Sequence, residues 1–220
     1  MKATLFSSII NTLKNTTDEI TLTVHDHQLH LQVSTNELTY DILLTDENFT
    51  LRNGRYTMLY HTLHKICKNV RTDTDIRICN SSTNATLLFQ IHNDLRTMMY
   101  ECPCQYLDCR TETTNTVESV LPYLTIKTTE LKYICKSFVN TAEKYKIEQF
   151  DTGLVISTLD SVLTQSVSLG EVGDECIDTT EITNTVLQRL LRLSLSNSIG
   201  FNSEGCLYSV GDSIRCKIQF

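Results

Sequence analysis

The segment YTMLYHTLHKICKNV, Tyr56 to Val70, constrains the fold most, because it reads as a helix with two unlike faces. Met58, Leu59, Leu63, Ile66 and Val70 recur at helical spacing as an apolar stripe. His61, Lys65 and Lys68 recur three and four residues apart as a basic stripe that no acidic residue interrupts. A helix this short takes most of its stability from laying the apolar stripe on another element. Three further segments repeat the pattern. In Leu5 to Asn15, the apolar side is Leu5, Phe6, Ile9, Ile10 and Leu13, with Lys14 on the other side. Glu130 to Ala142 sets Leu131, Ile134, Cys135, Phe138 and Val139 against Lys132 and Lys136, and Thr183 to Leu195 carries Arg189 and Arg192.

Between these helices lie short runs of alternating apolar and polar residues, the pattern of half-buried antiparallel strands. Strands are predicted at 19–25, 28–33 and 37–45 before the second helix, and at 75–80, 86–92 and 95–102 after it. An extended run at 48–52 leads through the Asn53-Gly54 turn into that helix. The second half repeats the order, with strands at 123–127, 145–150, 154–159, 162–169, 198–202, 206–210 and 214–219 and an extended run near 176–180 leading into the fourth helix. One β-α-β-β-β unit thus occurs four times, with helices starting 52 or 53 residues apart within each half. From Leu107 to Leu121 the periodicity stops in a polar, Thr-rich stretch followed by Pro122, which reads as a surface connector. The expected organisation is an N-terminal domain at 1–106, a connector at 107–122 and a C-terminal domain at 123–220, of α+β class with helices on one face of antiparallel sheets.

The chain is acidic overall, with a formal charge of -7, which taken alone argues against a nucleic-acid binder. Its distribution argues the other way. The four predicted helices hold seven basic residues and one acidic residue, Glu130, leaving 12 basic and 25 acidic residues elsewhere. On any single helix such a lysine is a solvated surface side chain; four equivalent helices sharing the bias make a surface suited to a polyanion. No base-reading motif accompanies these residues, so phosphate contact without sequence readout is the expected mode.

Two similar halves, a long connector and four basic helices resemble the PCNA-like sliding clamps, the ring-shaped processivity factors of DNA polymerases. His64-Lys65-Ile66-Cys67-Lys68 is similar to the family segment that ends the second helix, and Tyr133-Ile134-Cys135-Lys136 is similarly placed in the second half. The resemblance implies a DNA-clamp fold whose helices line the hole of a homo-oligomeric ring, a trimer first. Double-stranded DNA would then be met by Lys14, His61, Lys65, Lys68, Lys132, Lys136, Arg189 and Arg192. It also implies ring closure between the 95–102 and 162–169 edge strands, and docking of a polymerase or other replication protein on Val33, Leu38 and Tyr40 with Val117, Val120 and Leu121 of the connector. The chain is shorter at both ends than typical members, so the first strand is expected to shrink to a few residues before Leu5. A divergent viral or mobile-element clamp acting in the nucleus or at a cytoplasmic replication site is one reading. A checkpoint-clamp subunit in damage signalling is another, and a β-rich interaction or virion protein that leaves DNA alone is a third.

Other constellations point less far. Cys102-Pro103-Cys104 with Cys109 gives a C-x-C-x₄-C spacing without a second ligand cluster, and a strand end running into the connector explains it. His25 and His27 are expected on one strand face and His30 on the other. Nine scattered cysteines, an odd number, fit a reducing compartment better than a disulfide framework. No G-x-S-x-G, phosphate loop or H-E-x-x-H is present, so the expectation is a non-enzyme without metal or cofactor, and no apolar run is long enough to cross a membrane.

Overall fold

The fold comes from a computed structural model that describes the chain except residues 47–49, 72–73, 83–84, 109–123, 160–161, 193–196, 202–206, 212–213 and 220, with backbone only for 207–211 and 214–215. The chain forms two compact units. The first takes Met1–Thr35, Asp41–Val117 and Asp212–Arg215; the second takes Asn36–Tyr40, Glu118–Gly211 and Cys216–Phe220. Both are α+β, with antiparallel sheets and two helices each.

The first unit runs α1 (Ala3–Thr12), β1 (Glu19–His25), β2 (Gln28–Ser34), β3 (Thr39–Thr45), β4 (Gly54–Leu59), α2 (Tyr60–Cys67), β5 (Asp75–Asn80), β6 (Thr86–His92), β7 (Thr97–Pro103) and β8 (Gln105–Leu107). Its strands order as β8-β4-β1-β2-β3 and as β5-β6-β7. The expected short first strand is a single antiparallel bridge, Lys2 to Asp75, flanked by bonds from Ala3 N to Thr74 O and Ile76 N to Met1 O. Strand alternation sends Ile20, Leu22 and Val24 of β1 inward, level with Met58 and Tyr56 of β4. Above them α1 buries Ala3, Phe6, Ile9 and Ile10, and the Phe6 ring meets Phe89 of β6 with centroids 6.1 Å apart. The helix α2 buries Leu63, Ile66 and Cys67.

The second unit repeats the plan: β9 (Leu124–Lys127), α3 (Thr128–Phe138), β10 (Lys144–Gln149), β11 (Thr152–Leu159), β12 (Ser166–Glu171), β13 (Asp178–Thr183), α4 (Asn184–Leu190), β14 (Ser198–Phe201), β15 (Leu207–Gly211) and β16 (Ile214–Gln219). Its strands order as β12-β11-β10-β13 and as β16-β15-β14-β9. The pairings correspond one to one: β1 takes β2 and β4 as neighbours, and β10 takes β11 and β13. Helix starts at 3 and 60, and at 128 and 184, give spacings of 57 and 56 residues, so the repeat is real and slightly longer than the predicted helix starts implied. In this unit α3 buries Leu131, Ile134, Cys135 and Phe138. Tyr145, fully buried, closes the end of that helix: its hydroxyl donates to Phe138 O at 2.6 Å and accepts from Ala142 N.

Several boundaries differ from expectation. Met58 and Leu59 sit in β4 and not in a helix, because Gly54–Leu59 pairs with β1 over its whole length; Met58 is buried from the strand and Leu59 is exposed. All four helices end earlier than predicted, at Thr12, Cys67, Phe138 and Leu190. His27 is not a strand residue: Asp26 and His27 both take positive φ and form the tight turn between β1 and β2. Most of the predicted connector lies outside the described residues, and its first residue, Leu107, belongs to β8. Among the described residues no helix is long and apolar enough to span a membrane.

Phe6→Ala should cost about 3–5 kcal/mol in urea unfolding, since it empties a fully buried site between α1 and β6. Tyr145→Phe should cost about 0.5–1.5 kcal/mol, because the ring stays, the Phe138 carbonyl keeps its bonds from Thr141, and the Ala142 N–H loses its acceptor.

Candidate nucleic-acid interface

The buried faces of the helices decide where their charges go. With Leu63, Ile66 and Cys67 turned inward, α2 leaves His61, Lys65 and Lys68 exposed one and two turns apart on the opposite side. With Leu131, Ile134, Cys135 and Phe138 inward, α3 presents Lys136 and Tyr133 fully to solvent and Lys132 in part. Arg189 lies in the last turn of α4, half-buried, and Arg192 follows the helix and is exposed. Lys14 is exposed just past the end of α1, and α1 itself carries no charged residue.

Shorter helices alter the reading of the basic stripe. Lys14, Lys68 and Arg192 lie just beyond helix ends, and Lys65, Lys136 and Arg189 lie in last turns. The charge therefore gathers at carboxyl ends, where the helix dipole is negative and a cation adds about 0.3–1 kcal/mol of local stability. Carboxyl-end placement accounts for part of the bias by itself. It does not account for His61 or Lys132, and it does not oppose a polyanion-facing role, since the same side chains point away from the core.

Within the first unit the charges converge. The helices α1 and α2 are neighbours, and the His64 imidazole, half-buried and stacked on Tyr60 at 5.6 Å, has its pKa lowered from 6.5. Burial is the main cause, followed by the positive charges of Lys68 and Lys14. One residue thus feels lysines from the ends of both helices. In the second unit α3 and α4 are neighbours, and Arg189 and Arg192 both act on the Tyr40 phenol. Burial, the largest cause, pushes that phenol up to about 12 despite the two guanidiniums. His64 was legible in the sequence as part of the His-Lys-Ile-Cys-Lys run, but its sensing position was not, because it depends on Lys14 from a distant helix.

The predicted partner patch is corrected. Val33, Leu38 and Tyr40 are 5%, 2% and 0% exposed, so they build the core and offer no open apolar surface. The docking patch came from the family resemblance, and an alternating strand does not show what covers its apolar side. Val117, Val120 and Leu121 lie outside the described residues. Cys102 is buried against the Met58 sulfur and its thiol is pushed up to about 11 by burial, while Cys109 lies outside the described residues. Cys67 and Cys135 are pushed higher still, to about 12, again by burial, so these thiols stay protonated and unreactive. His30 pairs with Asp41 across β2 and β3, and His25 with Asp26 at 3.2 Å. Among the described residues no group of three His, Cys, Asp or Glu side chains is placed to hold a metal.

Two compact units built on one repeated plan, each with a helix pair over antiparallel strands, define the DNA-clamp fold of the PCNA type. The crystal structure of proliferating cellular nuclear antigen from Entamoeba histolytica matches 98% of this chain and 94% of its own, with a TM-score of 0.75 and 16% sequence identity. The PCNA2–PCNA3 complex from Sulfolobus tokodaii matches 99% of this chain and 95% of its own, with a TM-score of 0.74 and 13% identity. No protein-family model and no curated protein matches by sequence.

Replacing Lys14 or Lys68 with alanine should raise the His64 pKa part of the way back toward 6.5, leaving the share due to burial. Proton NMR titration reads it directly. Because the folded state resists protonation there, this contribution to stability is whole above pH 6.5. It falls as pH drops below 6.5 through the depressed value.

Proposed function

We propose that this chain is a sliding clamp, which encircles or tracks duplex DNA without reading sequence and tethers a DNA polymerase as a processivity factor. The observation that carries the reading is that, in each unit, neighbouring helices of a clamp-type fold turn their basic residues away from the core. Duplex DNA presents about one charge per ~1.7 Å, so loose attraction to many phosphates permits sliding while ring closure supplies retention. The contact residues on this reading are Lys14, His61, Lys65, Lys68, Lys132, Lys136, Arg189 and Arg192. The role is that of a scaffold and not of an enzyme, exercised where replication takes place.

Ring closure has a physical basis in two strand edges. β7 pairs only with β6, and β12 only with β11, among the described residues. Exposed apolar side chains sit on or beside both: Leu95 and Met99 at the first, Val162, Leu163 and Val172 at the second. An open edge with apolar neighbours is a template for strand pairing between chains. A homo-oligomer, a trimer first, would satisfy both edges at once. The competing reading, a β-rich interaction protein, draws support from the placement of the cations at helix carboxyl ends.

Duplex DNA should bind weakly and with steep salt dependence, and Lys65→Glu with Lys136→Glu should abolish it, the salt slope falling by about 1 for each lysine lost. Binding that survives in the double variant would refute the basic-face assignment. Light scattering should report a closed oligomer, and Met99→Lys should reduce it to monomer.

A further inference from the structure

The two units differ at one equivalent place. In the first, the outer edge of β4 is covered by β8, which pairs antiparallel with it: Arg55 opposite Leu107, Tyr56 opposite Tyr106 and Thr57 opposite Gln105. Tyr106 lies against Tyr56, centroids 5.0 Å apart, and so close over Gly54 that a Cβ there would come within 2.6 Å of its ring. In the second unit β13 holds the position of β4, paired with β10 on one side, and among the described residues no strand pairs with its outer edge.

The register says which groups face outward. The first residue of α2 bonds back across the sheet, Tyr60 N to Asp18 O, and the first residue of α4 does the same, Asn184 N to Glu143 O. Counting back from those bonds, Thr57 and Arg55, which meet β8, correspond to Glu181 and Thr179. Antiparallel alternation turns the backbone of these two away from β10. Thr179 agrees: its N–H is taken by the Asp178 carboxylate at 2.8 Å instead of by β10. Asp178, Thr179 and Glu181 are exposed, whereas Arg55 and Thr57 under β8 are half-buried and Tyr56 is buried.

Charge selects what could fill the gap. From residue 147 to residue 188 the sequence has eight acidic residues and no Lys, Arg or His. Glu171, Asp174, Glu175, Asp178 and Glu181 are exposed around β13 and its approach, and Ile177, 50% exposed, offers an apolar hold beside them. The facing cations from β10 are already engaged, Lys144 with Glu181 at 3.7 Å and Lys146 with Glu148 at 2.6 Å. We infer that the outer edge of β13 is a docking strand for an extended, basic peptide segment of a partner protein, which adds antiparallel to the sheet as β8 adds to β4. Backbone bonds to Thr179 and Glu181 give the register, the peptide taking over the Thr179 N–H from the Asp178 carboxylate, and lysine or arginine side chains on the exposed face meet Glu181 while Asp178, on the opposite face, adds to the acidic field. This site is separate from the helix faces assigned to DNA and stands or falls independently of them.

The test uses the full chain, a labelled eight-residue peptide of alternating Lys and Val, and the same peptide with Glu for Lys. The Lys-Val peptide should bind, slow hydrogen exchange at the Thr179 and Glu181 amides, and weaken with salt; the Glu-Val peptide should not bind. Thr179→Pro removes an outward N–H and should weaken binding about tenfold or more. Asp178→Lys with Glu181→Lys should reverse the preference between the peptides. Failure of the Lys-Val peptide to bind would overturn the proposal, as would binding that leaves the two amides unprotected or ignores the double charge variant. Protection of the same amides that rises with protein concentration, without peptide, would assign the edge to a second copy of this chain and overturn it equally.

Discussion

Each unit depends on one requirement: two short helices must bury their apolar faces against strands whose inward residues arrive every second position. Helices of seven to eleven residues are marginal alone in water. Packing on a sheet stabilises them, and in doing so it fixes their rotation. Once Leu63, Ile66 and Cys67 are inside, the directions of His61, Lys65 and Lys68 follow without further specification. The charged surface is therefore a by-product of core formation, and a mutation that rotates a helix would disperse it even if every lysine were retained.

That dependence explains how legible the molecule was. Strands 19–25, 75–80, 86–92 and 214–219 were readable to the residue, because alternation bounded by polar turns has few other interpretations. The second helix start was misread for a physical reason. Leu59, Leu63 and Ile66 fit a helical period while Tyr56 and Met58 equally fit an alternating strand, and only the long pairing of Gly54–Leu59 with β1 decides where one gives way to the other. Within one chain, helix periodicity identifies a face but cannot say where the backbone ladder takes over.

The candidate site divides the same way. The outward direction of the basic residues was legible, since it is set by residues three and four apart. The electrostatic meeting of Lys14 with Lys68 at His64 was not, since it joins residues more than fifty positions apart. The burial of Val33, Leu38 and Tyr40 was missed because an apolar residue in an alternating strand looks identical whether its face is covered or open. The difference between β4 and β13 was invisible for the same reason, as no local pattern announces a missing neighbour.

The hairpin between β1 and β2 carries a last implication. Asp26 and His27 hold φ of 42° and 64°, values comfortable for glycine and costly for side chains that bear a Cβ. The conformation is offset by Asn53, whose amide group exchanges two bonds with Asp26. The tip is thus a spot where the chain has accepted local strain, and glycine in place of His27 would relieve the positive-φ cost there. Protein engineers seeking a sturdier scaffold would begin at that corner.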